Sequence, residues 1–181
     1  ILPLGATEQH GLHLPQNTDS LIAEALALPV GRESMGLILP TIPIGYSRVW
    51  RDYPGSLTFS FDTFRAVIKV IVVSLDRNGC SPLLILTTDG ANPQPIKYAS
   101  RELVDHTAIQ VLRAFYPNLS QIMTDADSTT WQNSNFHAEE FETSLMLYLH
   151  SNLVDMTKAV SEYPPYSLAY EMSTLPMGAL S

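Results

Sequence analysis

The chain has 181 residues, of which 45% are hydrophobic and 15% are charged, and its formal net charge is -8. This length allows one domain with a sizeable core, and the composition is that of an ordinary globular protein. The acidic surplus excludes nucleic acid and anionic membranes as expected partners, because both bind through clusters of Lys and Arg. The single cysteine, Cys80, excludes an intramolecular disulfide.

The sequence indicates neither a membrane span nor a signal peptide. No stretch approaches the roughly 20 apolar residues of a span, and no charged start precedes an apolar run. We therefore expect a cytoplasmic protein. The sequence opens within an apolar, strand-like run and has no initiator Met. We interpret residues 1–181 as a single domain and expect that residues are missing at both of its ends.

The first half of the chain predicts strands and helices in alternation. Residues 1–4 predict a strand, and residues 18–28 predict a helix with an acidic first turn. A short buried strand is expected at 37–40 and an edge strand at 57–61. Residues 62–77 carry apolar side chains at helical spacing, which predicts a long helix.

The second half continues the alternation. Residues 83–88 form an almost wholly apolar run, typical of a strand buried on both faces, and a strand is also expected at 109–115. Helices are predicted at 95–106 and 139–149, whereas residues 117–136 are polar and are expected to form an irregular site mouth. This order predicts an α/β fold, a three-layer α/β/α sandwich around a mainly parallel sheet.

Three potential metal ligands, Glu8, His10 and Asp19, lie close together in the sequence. Glu8 and His10 follow the first predicted strand, and Asp19 lies at the predicted helix start, where its carboxylate turns back toward them. Two carboxylates and an imidazole can hold a divalent cation such as Zn²⁺ or Mn²⁺. Taken alone, the same residues also fit a solvated loop pair and an acid stabilised by the helix dipole.

Three segments resemble the creatininase (creatinine amidohydrolase) family. Residues 3–11 read Pro-Leu-Gly-Ala-Thr-Glu-Gln-His-Gly and are followed by His-Leu-Pro and Thr-Asp, as in the leading motif of that family. Residues 87–92, Thr-Thr-Asp-Gly-Ala-Asn, occupy the place of the family's Asn-Gly-His-Gly-Gly-Asn. Residues 137–144, His-Ala-Glu-Glu-Phe-Glu-Thr-Ser, resemble its His-Ala-Gly-x-x-Glu-Thr-Ser. The resemblance covers nearly the whole chain and implies a creatininase-like fold.

The resemblance implies a binuclear metal-dependent amidohydrolase that cleaves a cyclic or linear amide C–N bond. Asp19 would bridge two divalent ions (Zn, Mn or Fe), with Glu8 on one and His10 on the other. Asp89 would complete one ion's shell and Glu142 the other's. Asp89 stands in place of a family histidine, and its carboxylate shifts the expected metal preference toward harder ions such as Mn²⁺ or Mg²⁺.

The resemblance also implies further roles around the ions. His137 would carry a proton to the leaving nitrogen, which suits a group that titrates near neutrality. Substrate contacts are expected from Trp50, which replaces a histidine of many relatives, and from Ser47 and Asn92. Glu139 replaces a small Gly and could crowd or recharge the site. The expected partners are a small-molecule substrate and further copies of the chain in a homo-oligomer, by resemblance a hexamer.

Several alternatives remain open at this point. Asp89 could be a turn residue that holds its loop by an Asx hydrogen bond, and Glu142 could be an ordinary exposed helix acid. The chain could be a catalytically impaired family member that serves as a metal-binding or assembly scaffold. It could also catalyse a different hydrolysis at the same ions, for example of a formamide or a cyclic sugar derivative.

Overall fold

Three parallel strands form the centre of the protein in this computed structural model, which describes residues 1–116, 119–125 and 137–161. The strands are β1 (Leu2–Leu4), β2 (Leu83–Thr87) and β3 (Val111–Phe115), in the order β1-β2-β3. Leu4 pairs with Thr87, and Thr87 pairs with Phe115. The carboxyl ends of all three strands are therefore aligned at one edge of the sheet.

Helices cover both faces of the sheet in the described part of the chain. Their bounds are α1 (Thr18–Ser34), α2 (Phe61–Arg77), α3 (Pro93–Leu103), α4 (Leu119–Asp125) and α5 (Glu140–His150). Helices α2 and α3 pack against each other on one face, whereas α1 contacts β1, β2 and α5 on the other. The predicted α/β architecture is thus confirmed. No helix in the described ranges is long and apolar enough to cross a membrane.

Each face of the sheet has its own hydrophobic cluster, and apolar burial of this kind is the main stabilising contribution to folding. On the α2 and α3 side, the side chains of Phe64, Ile68 and Val72 are fully buried against the sheet. On the other side, Ile22 of α1 and Met146 of α5 are fully buried. The clusters fix α1 and α5 relative to the strand ends, and these two helices both begin at the carboxyl edge.

Helix α1 is longer than the sequence predicted, since it continues past residue 28 to Ser34. Pro29 lies inside the helix but on its exposed side. Because proline has no backbone N–H, one carbonyl of the preceding turn lacks its helical hydrogen bond, and water can bind it instead. The helix ends at Met35, whose φ of 51° is left-handed. Helix α2 agrees with its prediction, and Ser60 caps it by accepting a hydrogen bond from the backbone N–H of Thr63.

The strands predicted at 37–40 and 57–61 are wrong. The backbone N–H of Leu39 donates to the carbonyl of Ile1, but the side chain of Leu37 is 85% exposed and only an isolated bridge joins Leu4 to Ile42. Pro40 and Pro43 lack the N–H groups that a regular ladder needs. Residues 57–61 contribute a single antiparallel bridge before the chain enters α2. The predicted irregular segment 117–136 contains α4, and its residues 117–118 and 126–136 lie outside the described ranges.

Candidate functional site

The carboxyl edge of the sheet brings together all five side chains that the sequence analysis predicted as metal ligands. Glu8 and His10 lie in the loop after β1, Asp19 in the first turn of α1, Asp89 directly after β2, and Glu142 in the first turn of α5. Each is buried, with at most 4% of its surface exposed. Four carboxylic acids and one imidazole thus share a compact interior site, which we call the acidic cluster.

Among the described residues, three overlapping groups could each hold a metal ion: Glu8, His10 and His137 form one that extends outside the acidic cluster, and the other two lie within it. His10, Asp19 and Glu142 form one group, in which one ligand atom from each residue lies within 4.8 Å of the others. The second group, with the same separation, consists of Glu8, Asp19 and Asp89. Asp19 belongs to both groups. This is the arrangement expected of a carboxylate that lies between two ions.

The distances around His10 are suited to a cation rather than to direct hydrogen bonds. Its Nε2 atom lies 3.6 Å from Asp19 Oδ2 and 3.7 Å from Glu142 Oε2. Two ligand atoms that each bind Zn²⁺ at about 2.1 Å in tetrahedral geometry are about 3.4 Å apart. The observed separations leave room for such an ion between the three atoms.

Hydrogen bonding supports the same interpretation. Glu8 Oε2, His10 Nε2 and Asp19 Oδ2 are buried and have no hydrogen-bond partner in the described part of the chain. Buried polar atoms are normally paired, because leaving them without a partner is unfavourable. The Nδ1 atom of His10 lies 3.2 Å from the backbone carbonyl of Glu8, to which it donates, so Nε2 is the nitrogen that faces the carboxylates and that would offer its lone pair to a cation after losing its proton. The donor set therefore fits a divalent cation.

The electrostatics of the acidic cluster indicate a surplus of negative charge. Burial, together with the charges of neighbouring carboxylates, raises the pKa of Glu8 to about 10, of Asp89 to about 7 and of Glu142 to about 8. Burial lowers the pKa of His10, but the charges of Asp19, Glu142 and Glu8 outweigh burial and raise it to about 10. Without a bound cation, these buried carboxyl groups are stable in the folded protein only while they stay protonated.

Asp89 combines the two roles that the sequence left open. Its Oδ1 atom accepts hydrogen bonds from the backbone N–H groups of Ala91 at 2.6 Å and Asn92 at 2.8 Å, so it does hold the turn before α3. The same carboxyl group is buried beside Glu8 and Asp19 and belongs to the second ligand group. One oxygen therefore serves the backbone, which leaves the other for the acidic cluster.

Glu142 and Glu139 begin helix α5 but face different partners. Glu142 is only 3% exposed, so the alternative of an ordinary exposed helix acid is wrong. Its Oε2 atom accepts a hydrogen bond from Ala138 N–H at 2.6 Å and also faces His10. Glu139 instead caps α5, because its carboxylate accepts from the backbone N–H groups of Phe141 and Glu142. The side chain of Glu139 is thereby directed to the helix end.

His137 lies directly beside the acidic cluster. Its Nδ1 atom is 3.3 Å from Glu8 Oε1, and its Nε2 atom is 2.6 Å from the backbone carbonyl of Gln9. A carbonyl oxygen only accepts, so Nε2 carries the hydrogen and Nδ1 has the lone pair. Burial and the nearby His10 lower the pKa of His137 well below its usual value. His137 is therefore a neutral imidazole that can accept a proton at Nδ1.

The three predicted substrate contacts have different surroundings. Trp50 is half-buried at the end of a 3₁₀ turn, Arg48–Trp50, and its ring stacks on His137. Ser47 is fully buried, and its hydroxyl has no hydrogen-bond partner among the described residues. Asn92 is also fully buried, and its amide binds Gly5 O, Tyr46 N–H and Thr87 Oγ1. The hydrogen bonds of Asn92 tie three segments together below the site, and its contact with substrate stays a prediction.

Two residues near the acidic cluster were missed by the sequence analysis. Gln9 accepts from His137 through its backbone carbonyl, and only its position between Glu8 and His10 signalled a role. Tyr116 follows β3 with a left-handed φ of 32°, and its buried hydroxyl has no hydrogen-bond partner in the described ranges. Burial and the charges of Glu142 and Asp19 raise the pKa of Tyr116, so its phenol stays neutral. Its place after a strand end was the available signal.

Comparison with known proteins relates this site to a family. The sequence profile of the creatininase family, described as creatinine amidohydrolase, matches residues 1–179. The creatinine amidohydrolase of Pseudomonas putida is 28% identical over 190 residues, covering 93% of this chain and 72% of that protein. The mycofactocin precursor peptide peptidase of Mycobacterium ulcerans (strain Agy99) is 29% identical over 115 residues, covering 57% of this chain and 44% of its own length.

Solved structures agree with the sequence comparison. A structure described as creatininase Mn superimposes with a TM-score of 0.79 at 27% identity, covering 96% of this chain and 74% of the other. The likeness therefore extends to the arrangement of strands and helices that builds the carboxyl edge. The profile match and the shared fold together show that this chain belongs to the creatininase family.

Proposed function

We propose that this chain is a hydrolase that depends on two divalent metal ions and cleaves an amide C–N bond in a small molecule. The observation that carries the proposal is Asp19, a buried carboxylate shared by two groups of potential ligands, with an Oδ2 atom that has no hydrogen-bond partner in the described ranges. The comparisons support an amidohydrolase, since the matched relative in Pseudomonas putida bears that name.

The side chains of the acidic cluster would hold the two ions in two groups. Glu8, Asp19 and Asp89 would bind one, and His10, Asp19 and Glu142 the other. Four ionised carboxylates would be balanced by the four positive charges of two divalent cations. Since oxygen atoms dominate this donor set, we propose Mn²⁺ ahead of Zn²⁺, in line with the matched creatininase described as the Mn form.

The chain's own residues suit the proton transfers of amide hydrolysis. When bound, two such ions supply Lewis-acid activation of a carbonyl and lower the pKa of a water molecule. His137 is neutral and has its lone pair on Nδ1, directed toward Glu8 and the acidic cluster. It can take up a proton at this atom and release it to the leaving nitrogen.

A second candidate is a catalytically impaired family member that binds metal or serves in assembly. Asp89 favours this alternative for two reasons. It stands where the creatininase motif has a histidine, and its Oδ1 atom already accepts hydrogen bonds from the backbone N–H groups of Ala91 and Asn92. If the ion bound by Glu8, Asp19 and Asp89 is lost in this way, the group formed by His10, Asp19 and Glu142 would still bind the other ion. The two candidates thus differ in the number of ions per chain.

Metal content and hydrolysis together test the proposal. The protein is purified without chelator, its Mn, Zn and Fe are measured per chain, and it is assayed against creatinine and a panel of short peptides and lactams. We expect about two ions per chain, hydrolysis that disappears after chelation, and recovery when Mn²⁺ is added back. About one ion and no turnover would favour the impaired member. No bound metal, even after addition, would overturn the hydrolase and leave the assembly scaffold as the remaining candidate.

A further inference from the structure

Three aromatic rings lie close together beside the acidic cluster. The rings of Trp50 and His137 are 3.9 Å apart between centroids and 18° from parallel. The ring of His137 also lies 4.5 Å from the ring of His10, in a tilted arrangement with an angle of 38° between the ring planes. The imidazole of His137 therefore contacts both an indole and the ring of a predicted metal ligand.

The polar edge of His137 depends on the orientation of this ring. In the observed orientation, Nε2–H donates to the Gln9 carbonyl and Nδ1 faces Glu8. Rotation of the ring by half a turn would place carbon atoms at both positions and would break both interactions. The amide nitrogen of Gln9 also lies 3.1 Å from Nε2, but the closer carbonyl determines the tautomer. The orientation of the His137 ring therefore determines whether the lone pair of Nδ1 faces Glu8.

The loop that carries Trp50 is fastened to the loop that carries Glu8. The backbone N–H of Gln9 donates to Ser56 Oγ at 3.0 Å, and the Gln16 side chain donates to the carbonyl of Pro54 at 2.8 Å. Within its own loop, Trp50 accepts from Tyr53 N–H at 3.0 Å, and the Trp50 and Tyr53 rings lie edge to face. The indole is therefore placed against His137 by anchors that do not involve His137.

We propose that Trp50 is a positioning residue for His137: the indole and the His10 ring clamp the imidazole so that Nδ1 stays directed at Glu8. The role of His137 as a proton carrier belongs to the proposed function above, whereas the clamp concerns the ring alone. Stacking of aromatic rings is favourable beyond burial alone, so the indole holds the plane of the imidazole, and within that plane the hydrogen bond from Nε2–H to the Gln9 carbonyl selects the orientation with Nδ1 toward Glu8. If Trp50 instead contacts the substrate, as the sequence predicted, its replacement should raise KM.

Four variants separate the clamp from general effects on the loop. Trp50→Leu and Trp50→Met remove the stack but retain apolar bulk, whereas Trp50→Phe retains an aromatic face. Tyr53→Leu is the matched control, because Tyr53 contacts Trp50 in the same loop. Thermal unfolding identifies any variant that fails to fold, and the remaining leucine or methionine variant then carries the test.

The first readout is the nitrogen NMR spectrum of the imidazoles in protein loaded with Zn²⁺, an ion that does not broaden signals. We expect His137 to show a single Nε2–H tautomer in wild type, Trp50→Phe and Tyr53→Leu. In Trp50→Leu and Trp50→Met we expect averaged or doubled His137 signals. Unchanged signals in both of these variants, or an Nδ1–H tautomer in wild type, would overturn the clamp whether or not the protein is a hydrolase.

The second readout uses creatinine, or whichever amide of the panel is hydrolysed. Loss of the clamp is expected to lower kcat by about 10- to 100-fold, since small misplacements of a reacting group have effects of this size. KM should change little, and Trp50→Phe should restore most of kcat. A raised KM with unchanged kcat would instead make Trp50 a substrate contact and overturn the positioning role. If wild type hydrolyses none of the panel, the proposed function fails and the NMR result alone decides the clamp.

Discussion

Two groups of acids in this protein meet opposite electrostatic conditions. On the surface, Glu102 of α3 binds Lys69 at 2.7 Å and Arg65 at 2.8 Å, and the hydrogen bond from Lys69 together with the charge of Arg65 lowers its pKa. In the acidic cluster, burial and mutual repulsion raise the pKa values of Glu8, Asp89 and Glu142. Within the described ranges, no Lys or Arg forms an ion pair with this cluster.

The difference shows what each group requires. Glu102 obtains its cations from the same chain, so its charge is balanced in the folded protein without a ligand. The acidic cluster has four carboxyl groups and a single buried imidazole for balance. Because ionised carboxylates are so unfavourable in the interior, this cluster must take up protons or external cations. Glu102 therefore needs no ligand, whereas the acidic cluster is suited to bind cations from solution.

The largest expected effect comes from Asp19→Asn, because this side chain belongs to both ligand groups. The amide has almost the same size but lacks the negative charge. We expect both ions to be lost at micromolar metal and hydrolysis to fall more than about 100-fold, since even indirect partners of a metal ligand contribute 10- to 100-fold in affinity. Elemental analysis and isothermal titration with Mn²⁺ measure this.

Asp62→Asn is the control for Asp19→Asn. Asp62 also lies in the first turn of a helix, but its side chain is 82% exposed and pairs with Arg65. It should bind two ions per chain like wild type. Two ions retained in Asp19→Asn would contradict the shared role of this carboxylate.

The next effect separates the two roles of Asp89. In Asp89→Asn the Oδ1 atom can still accept from Ala91 and Asn92, but the negative charge is lost. We expect one ion per chain instead of two, with the fold intact. Asp89→Ala should lose both the ion and the turn hydrogen bonds, and thus about 1 kcal/mol more of the free energy of unfolding. Two ions in Asp89→Asn would make Asp89 a turn residue alone.

Stability as a function of pH should sharpen the contrast further. Asp89 and Glu142 have pKa values of about 7 and about 8 in the folded chain, above the values near 4 of unfolded carboxyl groups. A group whose pKa is raised by folding stabilises the folded protein fully at pH values below its unfolded pKa. This stabilisation is lost as the pH rises toward the folded pKa. The raised pKa of His10 acts in the same direction.

We therefore expect the Tm of chelated protein to fall between pH 5 and pH 8. Protein saturated with Mn²⁺ should fall less, because the ions take the place of the protons. Scanning fluorimetry across this range, with EDTA or with Mn²⁺, measures both curves. Glu142→Gln should flatten the EDTA curve, because it removes one of the titrating groups. A Tm that rises with pH in EDTA would refute the electrostatic account of the acidic cluster.

The site was more predictable from sequence than parts of the fold that support it. Glu8, His10 and Asp19 lie within one strand–loop–helix segment, so their proximity follows from local structure. Asp89 could be placed beside them because parallel strands align their carboxyl ends. In contrast, the contact of His137 with Gln9 joins residues 128 positions apart through a loop, and no periodicity encodes it. The same applies to the stack on Trp50.

The errors in the fold prediction have a related cause. Helix α2 was predicted well because its apolar stripe repeats over 17 residues, and each repeat supports the same assignment. Residues 37–40 and 57–61 are short, and their apolar composition fits a strand, but Pro40 and Pro43 and the turn into α2 prevent a ladder. Short apolar runs depend on neighbours that the local sequence does not specify.

The smallest expected effect is that of Glu102→Gln, which tests the surface side of the comparison. The substitution removes the charge that faces Lys69 and Arg65, so Lys69 loses this ion pair while Arg65 keeps its pair with Asp62. Because all three side chains are in contact with water, the loss is screened, and we expect a decrease in Tm smaller than that caused by Asp89→Ala. The decrease should vanish at high salt, whereas the metal loss of Asp19→Asn should not. A Glu102→Gln effect on metal content would mean that Glu102 is coupled to the acidic cluster, although the ion pairs of Glu102 in the described ranges are with Lys69 and Arg65 and none joins it to that cluster.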